Sequence, residues 1–153
     1  MTQKSRLFLI TCILVAHVSS EACSDAPPPP KALRCEFETY SSGTAQQNDA
    51  RINARIEHEA GIDPLTFAAF DIAKGTAQMI GNTGSSDVTL IATAFGWSFV
   101  EVTETGNVNV TQVFLWDEPT ADIGLYRAVH SRHSSIMGSI AVSQHYGRCK
   151  VLN

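Results

Sequence analysis

The sequence predicts an all-β fold: an antiparallel barrel or sandwich of seven or eight strands, with one short helix at 49–60. Three observations carry this. Runs of β-branched and aromatic residues recur at roughly 8–12-residue spacing from Thr66 onward. Gly-bearing turn clusters separate them. A cysteine stands near each end of this region, Cys35 and Cys149. A bridge between them would bring the first strand to the last, as barrel closure requires, and closure removes unpaired edges.

The elements follow in order. Residues 33–40 read as the first strand. Residues 49–60 show i, i+4 apolar spacing, and their Ala, Arg and Glu content favours a helix that Gly61 and Pro64 would end. Ile52, Ala54, Ile56 and His58 also alternate as a strand would. Residues 66–73 and 76–80 form a hairpin, with Gly75 supplying the positive φ of its turn. Residues 81–87, rich in Gly, Asn and Ser, read as a turn. Strands follow at 88–94 and 97–103, a turn at 104–107, and a strand at 108–115. On this last strand Val108, Val110, Gln112 and Phe114 make one mostly apolar face; the other runs from Asn109 and Thr111 to Val113 and Leu115. Residues 117–120 are a loop, 123–133 a long strand, 134–138 a turn and 139–149 the last strand.

The N-terminus points to export. Lys4 and Arg6 precede an apolar run from Leu7 to Val18, and small residues follow. This is the layout of a signal peptide over 1–22. The run is well short of the roughly 20 residues a spanning helix needs. Cys23 stands where a bacterial lipoprotein carries its lipidated cysteine, although Ser20 and Glu21 make a poor box before it. Cleavage after Ala22 by the ordinary signal peptidase is the alternative. Residues 23–32, with Pro27, Pro28, Pro29 and Pro30, read as a stiff polyproline tether. A single β domain is expected over 33–153.

With Cys12 removed in the leader and Cys23 taken by lipid, Cys35 and Cys149 remain. In an exported chain they are expected to pair, across 114 residues. Losing Lys4, Arg6 and Glu21 takes the 11 cations and 15 anions to 9 and 14, net −5. That balance disfavours nucleic acid and anionic lipid surfaces. Membrane association is expected only through a lipid at Cys23.

Chemistry-bearing residues concentrate late in the chain, in His130-Ser131-Arg132-His133 and Ser143-Gln144-His145-Tyr146. Neighbouring strands would gather His130, Arg132, His133, Gln144 and His145 into one patch, the candidate surface for a ligand or partner. A metal-binding protein or metal-dependent enzyme built on His130, His133 and His145 is the alternative. Strand parity opposes it, because residues three apart point to opposite faces. A Ser131 or Ser143 nucleophile with a histidine and Asp87 or Asp122 lacks any G-x-S-x-G elbow. Asp71, Asp87, Asp117 and Glu118 fall at turns, where acids are ordinarily solvated. Gly81-Asn82-Thr83-Gly84 is too short for a phosphate loop. Asn109-Val110-Thr111 is a glycosylation sequon only in a eukaryotic secretory pathway. Trp97, Phe99 and Phe114 are expected in the core, and Trp116 exposed. No catalytic residue and no cofactor is expected.

The signal start, short linker, single β-barrel and cysteine in the first strand (Leu33-Arg34-Cys35-Glu36-Phe37) resemble periplasmic inhibitors of C-type lysozyme in architecture. Those carry a Ser-Gly-x-x-Tyr loop. Ser42-Gly43-Thr44-Ala45 lacks the tyrosine, so no inhibitory residue is carried over. The ending Ser143-Gln144-His145-Tyr146-Gly147-Arg148-Cys149 is similar to small exported bacterial β-barrel proteins and lipoproteins. The expectation is a non-catalytic envelope protein, lipid-tethered or periplasmic, that binds an envelope protein or a small ligand.

Overall fold

The computed structural model describes residues 30–46, 53–58, 61–115, 124–136 and 138–152. The leader, Cys23, most of the proline arm, Trp116 and the loop at 117–120 lie outside them. Nine strands run in chain order: β1 (Ala32–Gln46), β2 (Asn53–His58), β3 (Leu65–Asp71), β4 (Thr76–Gly81), β5 (Gly84–Thr93), β6 (Gly96–Val102), β7 (Val108–Phe114), β8 (Leu125–Ile136) and β9 (Ser139–Leu152). Eight close into an antiparallel barrel in the order β1-β3-β4-β5-β6-β7-β8-β9, with β9 returning to β1. The predicted all-β barrel is therefore the observed fold.

The helix predicted at 49–60 is not formed: the segment carries β2. The reason lies in β1, which is 15 residues long. Its edge pairs with β3 only from Ala32 to Cys35. From Thr39 to Thr44 the same edge pairs with β2. Backbone groups of a strand edge need partners, and that demand outweighs a weak helix propensity. Two other boundaries differ for related reasons. The first strand continues past residue 40 because β9 offers partners as far as Gln46. The turn expected at 81–87 contracts to Asn82-Thr83, since Gly81 already faces Gly84 across the hairpin. The last turn likewise begins after Ile136, so Ser134 and Ser135 belong to β8.

Closure rests on the β1–β9 pair. Cys35 and Cys149 are direct cross-strand partners and are joined by a disulfide, both fully buried. Two partners further along, Phe37 faces Gly147, and the register then shifts past Glu38. A Cβ on Gly147 would stand 1.9 Å from the Glu36 carbonyl oxygen and 2.7 Å from the Phe37 Cα. Only glycine lets the two backbones approach at this bulge. The β3–β4 turn is held by Asp71, which accepts from the Lys74 N–H at 3.0 Å and pairs with its ammonium at 2.9 Å. Gly75, at φ 65°, completes it.

The interior changes character along the strands. Leu33, Cys35, Phe37, Phe67, Leu90, Trp97, Phe99 and Val113 fill one end. Phe67 and Phe99 stack with ring centroids 4.0 Å apart, and Trp97 meets Tyr126 edge-on at 5.8 Å. Each such side chain contributes roughly 2–3 kcal/mol by burial. Cross-strand register orders the rest. One run of partners is Trp97–Val113–Ala128–Gly147–Phe37; the next is Phe99–Thr111–His130–His145–Tyr40; the third is Glu101–Asn109–Arg132–Ser143–Ser42. Three steps take the interior from apolar, through aromatic and imidazole, to charged and hydroxylic.

Candidate binding site at the open end

The polar end of the barrel is hollow. A cavity of about 530 Å³ is lined by Ser86, Glu101, Thr103, Asn109, His130 and Arg132 from the barrel wall. Leu65 and Met79 supply its apolar surface, and the segment Gly61-Ile62-Asp63 borders it. Asn82, in the β4–β5 turn, donates to Asp63 and ties that segment to the rim. A second cavity of about 270 Å³ lies against Ser42, Thr44, Ser134 and Ser143. Arg132 lines both.

Glu101 is held from two sides. Its carboxylate accepts from the Ser86 hydroxyl at 2.7 Å and from the Asn109 side-chain amide at 2.5 Å. A carboxylate offers about four acceptor sites, so capacity remains on the cavity side. Arg132 is different. Among the described residues no hydrogen bond or ion pair engages its guanidinium, although Asn109, its direct cross-strand partner, bonds Glu101. Five N–H donors thus stand at the boundary of the two cavities.

Below this rim lie two buried imidazoles. His130 is 3% exposed, and its Nδ1 is 2.8 Å from the Thr111 hydroxyl, itself fully buried. His145 faces His130 across β8 and β9, with ring centroids 6.0 Å apart. It stacks on Tyr40 at 5.3 Å, and its Nε2 is 3.1 Å from the Ser143 hydroxyl. Burial pushes the His130 pKa down to about 4, with the neighbouring His145 and Arg132 charges adding to the effect. His145 is lowered by burial and by Arg132. Both rings are therefore neutral at physiological pH.

The structure sorts the residues singled out from the sequence. His130 and His145 are buried together on the interior face, and Arg132, on the same face of β8, is exposed at the mouth, where it lines both cavities. His133 and Gln144 are exposed; the Gln144 side chain accepts from the Tyr146 hydroxyl, and His133 stands between Val108 and Val142 on the outer surface. Among the described residues no three His, Cys, Asp or Glu side chains form a metal-ligating group. Ser143 and His145 do make a serine–histidine contact, but His145 Nδ1 has no partner among the described residues, so no carboxylate orients the ring. Ser42-Gly43-Thr44 lies within β1, paired on both sides, rather than in a loop.

Glu101, Asn109, Ser86 and Ser42 carry the site's polar rim, and the sequence reading did not single them out as a site. Each occupies an interior position in an ordinary alternating strand. The usable signal was polarity inverted against the strand: Glu101 lies between Val100 and Val102, and Asn109 between Val108 and Val110. Val102 is 68% exposed while Glu101 lines the cavity. A strand that turns valine out and glutamate in gives the barrel a polar lining.

The fold and site define a closed eight-stranded antiparallel barrel with one packed end and one hollow polar end. Comparison with known family models, curated proteins and solved structures finds no match.

Proposed function

We propose that this protein is a non-catalytic envelope protein of a bacterium, exported and tethered through Cys23, that binds a small polar ligand in the open end of its barrel. The observation that carries the ligand is the cavity of about 530 Å³, lined by charged and hydrogen-bonding side chains at interior positions. Interior positions of a small barrel are normally filled by side chains. Here the packed end follows that rule and the other end does not. A largely pre-formed concave site with a few convergent polar groups is what small-ligand recognition needs. The charged start, short apolar run, Cys23 and proline arm support export and tethering.

The test is a thermal-shift screen of the full chain, purified after export, against sugars, organic acids, nucleosides and amino acids. At least one class should raise the Tm saturably, and Arg132→Ala should abolish the rise while leaving the ligand-free Tm nearly unchanged. No saturable shift from any of the four classes would overturn the reading. For the tether, Cys23→Ser should move the protein from the membrane to the soluble fraction. Unchanged fractionation would remove the lipid from the proposal.

A further inference from the structure

The two cavities differ in charge, and Arg132 stands between them. On the β5–β6–β7 side the larger cavity has Glu101, supported by Ser86 and Asn109, and Asp63, which accepts from Asn82, also lines it. On the β1–β8–β9 side the smaller one has hydroxyls from Ser42, Thr44, Ser134 and Ser143 around Arg132, and no acid. Glu101 and Arg132 are each the cross-strand partner of Asn109, so their backbones are two strand spacings apart, about 10 Å. Long side chains could close that gap and pair, yet they do not. Asn109 holds the carboxylate, and the guanidinium keeps its donors free among the described residues.

A carboxylate held by Ser86 and Asn109 and an exposed guanidinium that lines the same cavity without pairing with it complement a ligand that carries both charges. From this we infer that the barrel takes a small zwitterion, a free amino acid or a short peptide, with its carboxylate on Arg132 and its ammonium on Glu101. The inference rests on the barrel-mouth reading above and specifies the ligand for it. Arg132 suits a carboxylate because its planar donors match the two oxygens, and the Ser42 and Thr44 hydroxyls beside it add neutral donors, those of Ser134 and Ser143 being engaged with the Ala141 carbonyl and with His145. Glu101 suits an ammonium because its committed partners are donors that leave acceptor capacity open. The neutral His130 beneath adds no second positive charge to the floor, so an ammonium is not repelled there. Leu65 and Met79 give a side chain of the ligand an apolar wall.

The experiment is isothermal titration of the purified full chain with three sets of probes: the twenty free amino acids and a panel of dipeptides; the same compounds lacking the amine; and the same compounds lacking the carboxylate. At least one zwitterion should bind, and both truncated forms should bind more weakly by roughly tenfold or more, the loss expected for a hydrogen bond to a charged group. Arg132→Lys should cost the zwitterion a comparable factor while keeping the charge. Glu101→Gln, nearly isosteric, should weaken the zwitterion but leave the amine-less analogue unchanged. Free amino acids and dipeptides are told apart by which of the two binds more tightly. Should the amine-less acids bind as tightly as the zwitterions, the ligand is a simple anion; the zwitterion is then wrong and the cavity reading stands. If no zwitterion binds while a sugar or nucleoside does, the inference fails in the same way. Circular dichroism of both variants confirms that they keep the wild-type fold, so that lost binding reports the site.

Discussion

Phe99 and Glu101 lie two residues apart on β6, both turned into the barrel, in two different kinds of interior. Phe99 is almost fully buried, stacked on Phe67 and flanked by Phe70. Glu101 borders an open cavity, held by Ser86 and Asn109. The same contrast repeats around the wall: Val113 against Asn109 on β7, Ala128 against Arg132 on β8, Cys149 against Ser143 on β9, Cys35 against Ser42 on β1. One backbone scaffold thus divides its labour by position along the strand. The packed end supplies stability and the hollow end is spared from doing so.

The comparison is broken most sharply at the packed end. Replacing Cys35 and Cys149 together by Ala should cost about 4–5 kcal/mol on the chain-entropy model, because their bridge spans 114 residues. Urea denaturation of the unreduced protein and the double variant measures it. A loss under about 1 kcal/mol would show that β1–β9 pairing closes the barrel without the bridge. Phe99→Ala comes next, at about 3–5 kcal/mol for a large buried aromatic. Glu101→Gln, one interior position further on, should cost about 1 kcal/mol or less, since the amide keeps one acceptor for Ser86 or Asn109. Similar losses from the two would mean that the hollow end is as structural as the packed one.

Between these lies His130, at the border of the two regions. Its folded pKa, about 4, is below the unfolded value of 6.5. Between those values the unfolded chain binds more protons, so stability rises with pH there. The contribution is fully present above pH 6.5 and is lost as pH falls toward 4. A difference of this size corresponds to about 3 kcal/mol. His145, shifted the same way, adds to the slope. Denaturation at pH 7 and pH 4.5 should show the loss, and His130→Gln should remove much of it; an unchanged slope in that variant would place the titration elsewhere.

The smallest effect is expected at Ala69, which sits at φ 51° in the bulge between β3 and β4. A left-handed conformation costs a non-glycine residue roughly 1–2 kcal/mol. Glycine relieves it but loses more entropy on folding, by about 0.5–1 kcal/mol. Ala69→Gly should therefore raise stability by about 0.5 kcal/mol, readable as a small upward shift in the denaturation midpoint. A clear loss would mean that the methyl group packs.

Much was legible beforehand because it depends on local pattern. Alternation and glycine-bearing turns gave the strands from Thr66 onward, since side-chain parity and turn φ are properties of adjacent residues. The cysteine positions gave the bridge, since an all-antiparallel barrel must join its first strand to its last. What β2 does was not local. Its sequence suits helix or strand, and the unpaired edge of β1 chose between them. Nor could alternation choose the inner face of β7. Val108, Val110 and Phe114 make as good an apolar face as Val113 and Leu115, and the barrel turned the former outward.

The chain's own pattern thus determined an all-β architecture, its approximate strand count and the Cys35–Cys149 cross-link. Only the tertiary structure decided that Ser42, Glu101, Asn109, Arg132 and Ser143 share a rim. These residues come from five strands and span a hundred positions of sequence, so no spacing along the chain announces them. Their meeting is fixed by register across the closed sheet, a property that exists only once β1 and β9 have paired.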